Sequence, residues 1–199
     1  TMSGGTLAVT ESFSSAKTTA MNSSGSIDVA ATKTYTVSGL ISGSGGALTK
    51  SGSGTLVATG SNTYSSGTVF NDGIFSVGAD NNMGTGAMTF TGGTLNVSGS
   101  FASTKGATLS SGGTIDVNSA QTLTLSGVVA GSGALTKSSA GTLVLSGTNT
   151  YSGGTNMAGG TFSVGADNNM GTGDLTFTGG TLNVSGSFAS TKGATLTSG

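Results

Sequence analysis

Hydrophobic and polar positions alternate in short runs of four that recur along the whole chain. The runs begin at Thr6, Ser26, Thr55, Ile74, Thr94, Thr114, Thr142, Thr161 and Thr181. Alternation turns every second side chain to the same side of a strand. One side collects Leu7/Val9, Ile27/Val29, Leu56/Ala58, Phe75/Val77, Leu95/Val97, Ile115/Val117, Leu143/Leu145, Phe162/Val164 and Leu182/Val184, and these residues are expected to form one inward ladder. The positions between them, such as Thr6, Asp28, Thr55, Thr94, Asn96, Asp116, Thr142 and Asn183, are expected to face solvent, an environment in which threonine suits a strand. Gly-Gly, Ser-Gly, Asn-Asp-Gly and Asp-Asn-Asn separate the runs, and these residues accept positive φ or cap turns with their own side chains.

The steps between runs are 20, 29, 19, 20, 20, 28, 19 and 20 residues. Steps near 20 are too short for a strand–helix–strand crossover, and no window carries a 3.6-residue period. They predict the coils of a solenoid: an all-β, right-handed parallel β-helix of about nine coils, the hand following from the general preference of parallel crossovers. At about 4.8 Å per coil this rod is roughly 43 Å long.

A longer period lies above the coil. Phe75 to Leu109 recurs as Phe162 to Leu196 with only Ala87 and Met88 replaced, by Asp174 and Leu175, so the register is 87 residues. The same register aligns Gly46-Ala-Leu-Thr-Lys50 with Gly133-Ala-Leu-Thr-Lys137, and Asn62-Thr-Tyr64 with Asn149-Thr-Tyr151. The expected organisation is a single β-helix over 1–199, part of a longer protein, with units at about 1–45 (partial), 46–132 and 133–199 (partial). Each unit is expected to hold four coils, with longer coils opening at Ser26 and Thr114 as the places to look for function. The chain stops at Gly199 inside a unit, so end-to-end stacking through open strand edges is a further expectation.

Composition narrows the chemistry. There are 38 Gly and no Pro, Cys, Trp or His, which leaves no disulfide, zinc thiolate or histidine base. Charged residues are 7% of the chain and the net charge is −1, so neither a nucleic-acid footprint nor an anionic-lipid patch is present. A hydrophobic content of 34% and a mean hydropathy of +0.15 argue for a buried core against a flexible linker. No apolar run approaches the roughly 20 residues a spanning helix needs, so direct membrane insertion is not expected.

Gly133-Ala-Leu-Thr-Lys137, followed by Gly141-Thr-Leu-Val-Leu-Ser-Gly147, Asn149-Thr-Tyr151, Gly153-Gly-Thr155 and Gly159-Gly-Thr-Phe-Ser-Val164, resembles the passenger-associated transport repeat of bacterial autotransporters. The stretch from Gly46 to Val77 resembles the same repeat, although Asn71-Asp72 stands where the later copy has Ala158-Gly159. The resemblance implies a type V secreted passenger at the bacterial cell surface. Such a passenger is exported through the periplasm and outer membrane by way of its own C-terminal barrel, which is outside this chain, and folds outside the cell.

Several groups qualify as candidate sites. Asp80-Asn81-Asn82 and Asp167-Asn168-Asn169 offer oxygen ligands suited to calcium, but the same residues cap turns, and the nonapeptide calcium repeat is missing. Asp28 and Asp116 are placed about four coils, near 19 Å, apart, too far for a glycosidase pair. Glu11, Asp72 and Asp80 have no histidine or arginine to assist them. Gly84-Thr85-Gly86 and Gly43-Ser-Gly-Gly46 complete no phosphate-binding fingerprint. Tyr35, Tyr64 and Tyr151 could stack on sugars, but the repeat position shared by Tyr64 and Tyr151 favours a structural corner. Threonine columns raise ice binding, and an irregular second column, from Ala8 through Asp28 to Asn183, argues against it. No residue is assigned a catalytic, cofactor-binding or metal-ligating role, and no cofactor or enzymatic activity is expected. The functional expectation is a stalk or spacer that presents a functional head and assists translocation by folding outside. The alternative is an adhesive segment that self-associates or grips a host-surface ligand through one sheet.

Overall fold

A computed structural model describes residues 1–197, so the expectation about Gly199 lies outside the described residues. All regular elements are strands except two one-turn 3₁₀ segments, Asp80–Met83 and Asp167–Met170, and every strand pair is parallel. The chain winds as a β-solenoid of about ten turns, against nine runs counted in the sequence.

Three ladders run along the rod. Face 1 passes through Thr6, Ser26, Thr49, Val69, Thr89, Thr108 and Ala130. Face 2 passes through Thr34, Thr55, Ile74, Thr94, Thr114, Thr136, Asn156, Thr176 and Thr195. Face 3 carries Met2–Ser3, Thr19–Ser23 and Ile41–Ser42, and resumes as Phe101–Ser103, Thr122–Leu125, Thr142–Leu145, Thr161–Val164 and Thr181–Val184. Between those two sets face 3 is irregular, built from the extended segment at Thr63 and the turn Asp80–Met83.

This arrangement corrects two sequence expectations. Among the described residues there are no long coils: register partners on faces 1 and 2 are 19 to 23 residues apart, as from Thr55 to Ile74 and from Ser26 to Thr49. The 28-residue step from Thr114 to Thr142 is one coil, to Thr136 on face 2, and then the six residues that carry the chain round to face 3, where Thr142 pairs with Thr122. The 29-residue step from Ser26 to Thr55 has the same cause, through Thr49. The alternating runs therefore do not share one side of the rod. Those at Thr6 and Ser26 lie on face 1, those from Thr55 to Thr114 on face 2, and those from Thr142 to Thr181 on face 3.

It follows that the 87-residue unit is four coils and one face, not four coils. Thr49, Val69, Thr89 and Thr108 stand on face 1, and their counterparts 87 residues on, Thr136, Asn156, Thr176 and Thr195, stand on face 2. The irregular patch moves with the rest, from the segment at Asn62 and the turn Asp80–Met83 on face 3 to the segment at Asn149 and the turn Asp167–Met170, which follow Val129–Ala130 on face 1.

The core is the axial channel filled from all three faces. Fifteen of the eighteen inward positions are buried; the exceptions, Leu7, Leu182 and Val184, lie in strands that stack on a neighbour from one side only. Phe70, Phe75 and Phe90 pack together, the rings of Phe70 and Phe90 stacked at 4.5 Å and those of Phe70 and Phe75 tilted at 5.7 Å. Each coil buries its apolar side chains against the next, so the energetics are those of nearest neighbours along a line.

Candidate functional site

The buried polar chemistry of each unit lies in the irregular patch and in the strand before it, where it begins with a lysine. In Leu48-Thr49-Lys50 alternation sends Leu48 and Lys50 inward together. Lys50 is 1% exposed, and its ammonium donates to the carbonyls of Ser51 (2.7 Å), Gly52 (2.6 Å) and, in the next coil, Asp72 (3.1 Å). Lys137 repeats the cage with Ser138 (2.6 Å), Ser139 (2.9 Å) and Gly159 (3.3 Å). Burial pulls both lysines down to about 8; Asp72 and Asp28 push back on Lys50, and Asp116 on Lys137. The sequence reading missed these cages, although the inward period that places Leu48 also places Lys50.

Asn62 is a bracket across three coils. Its Oδ1 accepts from the Ile41 amide (2.8 Å) and its Nδ2 donates to the Asn82 carbonyl (2.6 Å), so one side chain holds the coil before and the coil after. Asn149 does the same between Val129 (2.8 Å) and Asn169 (2.6 Å). Beside it Tyr64 is fully buried. Its hydroxyl shares a 2.6 Å hydrogen bond with Thr68, which donates on to the Met83 carbonyl at 3.0 Å. Tyr151 pairs with Thr155 at 2.6 Å. Burial raises both phenols, that of Tyr151 to about 12, with the threonine bond opposing. Neither ring is available to a sugar. Tyr35 is buried as well, its ring tilted against that of Phe13 at 4.6 Å.

The Asp-Asn-Asn segments are turns. Asn82 Oδ1 accepts from the Gly78 (3.0 Å) and Ala79 (2.9 Å) amides, while its Nδ2 donates to Gly60 O (3.0 Å). Asp80 Oδ2 takes the Lys105 ammonium at 2.5 Å, and Asp167 Oδ2 takes Lys192 at 2.6 Å. The bonds from Lys192 and Ser190 hold the Asp167 carboxyl below its usual range. A cation arriving here would meet a carboxylate already neutralised by a lysine and an amide oxygen already used by two N–H groups. The following Gly84 sits at φ 68, and a Cβ there would meet the Tyr64 carbonyl oxygen at 2.4 Å and its ring at 2.8 Å. Gly84-Thr85-Gly86 is thus a corner closed over the tyrosine.

The remaining candidates do not converge. Asp28 is on face 1, beside Ser51. Asp116 is on face 2, beside Asn96 and Ser138, so the single outward column expected from Ala8 to Asn183 is divided among three faces. Glu11 forms an exposed ion pair with Lys33 at 2.8 Å, and Asp72 caps the Gly73 amide at 2.7 Å. A cavity of about 350 Å³ at the first coil is lined by Met2, Leu7, Ile27, Tyr35, Val37 and Ile41, among others, with no charged side chain. Among the described residues no cluster of three acidic groups is placed to hold a metal.

The sequence model of the passenger-associated-transport-repeat family matches this chain twice, at residues 48–77 and 135–164. Both matches contain the whole lysine, asparagine and tyrosine set. No curated protein matches the chain, and no solved structure does.

Proposed function

We propose, for a chain carrying two passenger-associated-transport repeats, that it is a structural stalk in the passenger of a bacterial autotransporter. On this reading it is a rigid spacer that presents a functional head and assists translocation by folding outside the cell, with a C-terminal barrel elsewhere in the protein as its partner. The family matches imply a secreted or cell-surface protein, and the β-solenoid fold fits a passenger stalk. The observation that carries the reading is the fate of the polar side chains. Lys50, Asn62, Tyr64 (through Thr68), Asp80, Asn82 and Lys105 all help to hold coils together, as do Lys137, Asn149, Asp167, Asn169 and Lys192 in the second unit. Groups so engaged support cohesion between coils, which is what a stalk requires.

The test is deletion of residues 46–132 from the full-length protein. The stalk reading expects a shorter rod with surface display and adhesion retained; loss of adhesion with undiminished export would sink it. A second reading, adhesion through one face, draws on the outward column Thr34, Thr55, Thr94, Thr114, Thr136, Thr176 and Thr195 on face 2. It predicts that replacing those threonines with lysine abolishes cell aggregation or host attachment without altering export.

A further inference from the structure

Coil stacking in this chain has a specificity problem. Gly-Gly-Thr-Leu-Asn-Val at 92–97, Gly-Gly-Thr-Ile-Asp-Val at 112–117, Gly-Gly-Thr-Phe-Ser-Val at 159–164 and Gly-Gly-Thr-Leu-Asn-Val at 179–184 are nearly interchangeable. A coil that skipped its neighbour and stacked on the next would still turn every apolar side chain inward. Phe75 would meet Ile115 in place of Leu95, its native partner, with little change in buried area. Hydrophobic patterning fixes which residues of a strand face inward, but not which of several equivalent strands lies alongside.

The buried polar side chains discriminate where the apolar ones do not. Asn62 is satisfied only with the Ile41 amide on one side and the Asn82 carbonyl on the other. Lys50 needs the Asp72 carbonyl from the following coil, and the Tyr64–Thr68 pair needs Met83. A skipped coil removes these partners and leaves buried donors and acceptors unpaired, a cost that apolar contacts do not replace. Buried polar groups that fix register at some expense in stability are well attested in other folds. We propose that Lys50, Asn62 and Tyr64, and again Lys137 and Asn149, are register keys that select which coil stacks on which along a rod whose strands are otherwise interchangeable. The two keys sit one per 87-residue unit, so a slip begun in one unit is corrected before the next. The inference stands whether the rod is a spacer or an adhesin.

The chain has no cysteine, so a disulfide reports register cleanly. Thr55 and Ile74 are direct partners; Thr55 and Thr94 are two coils, about 9.6 Å, apart, beyond the roughly 7 Å that a disulfide tolerates between Cα atoms. The pair Thr55→Cys with Ile74→Cys is expected to cross-link in the parent chain, and the pair Thr55→Cys with Thr94→Cys is not. Lys50→Met, Asn62→Leu and Tyr64→Phe introduced together keep the side-chain volumes and remove the key, and are expected to raise the 55–94 product about tenfold, the effect of one tenfold change in an equilibrium between registers. Leu95→Ala, which weakens the core without touching the key, is the control. An unchanged 55–94 yield in the triple variant overturns the proposal, and so does an equal rise in the control. Should the triple variant lose its β-sheet signal, Asn62→Leu alone carries the same readout with the second key intact, and absence of the 55–94 product there is equally decisive.

Discussion

Replacing Asn149 by alanine isolates the cost of one cross-coil bracket. The side chain is 3% exposed. Its removal strands two buried backbone groups, the Val129 N–H now bonded at 2.8 Å and the Asn169 carbonyl now bonded at 2.6 Å. Each group left unsatisfied costs about 1–3 kcal/mol, and the polar cavity admits little compensation from packing, so Asn149→Ala is expected to destabilise by about 3 kcal/mol. Asn62→Ala is expected to cost the same, because Asn62 makes the same two bonds. The two sites lie about 20 Å apart along the axis, so the double variant is expected to be additive to within about 0.5 kcal/mol. Urea denaturation monitored by circular dichroism gives the totals. Hydrogen exchange gives the location, with lost protection expected in the coils of Val129, Asn149 and Asn169 and not around Asn62. A loss below about 1 kcal/mol, or a loss of protection spread evenly over the rod, would refute the reasoning.

Stability is expected to rise between about pH 8 and pH 10. Lys50 and Lys137 have folded values near 8, so over that interval the unfolded chain binds more protons than the fold. Above pH 10 it falls, because the raised phenols of Tyr64 and Tyr151 ionise first in the unfolded chain; a denaturation series across pH with a Lys50→Met, Lys137→Met control reads both limbs, and a monotonic fall from pH 7 would contradict them. Lys192→Ala is expected to return the Asp167 carboxyl to its ordinary range, since Lys192 is the main group holding it low; NMR titration measures the shift. Calcium added at millimolar concentration is expected to leave the Tm unchanged, because Asp80 and Asp167 are neutralised by Lys105 and Lys192; a rise of several degrees would show a cation site at these turns.

Alternation and the near-20-residue beat made the coil, the parallel strands and most of the core legible, since both follow from local geometry that every coil repeats. What they hid was azimuth. Thr114 and Thr142 look equivalent because each opens a Thr-apolar-x-apolar run, yet they lie on different faces, and only the pairing of Thr114 with Thr136 reveals it. The turns at Asp80–Met83 and Asp167–Met170 are legible because Asp and Asn cap their own backbone. The lysine cages escaped because a charged side chain is ordinarily assigned to solvent; nothing in Leu-Thr-Lys announces three carbonyls, one of them contributed by a residue 22 positions away. The brackets at Asn62 and Asn149 were hidden for the same reason, their partners being about 20 residues off in each direction.

Because the unit closes on four coils and one of three faces, length and direction are coupled in this rod. Inserting or deleting one 87-residue copy changes the length by roughly 21 Å at the ordinary strand spacing, and it also re-aims everything beyond the change by one face. Three such units make thirteen whole coils, and only then does a surface feature return to its original bearing. A lineage that grows the rod by duplication thereby steers its far end like a screw being turned. Spin labels placed on either side of an extra copy of residues 46–132 would read that rotation directly.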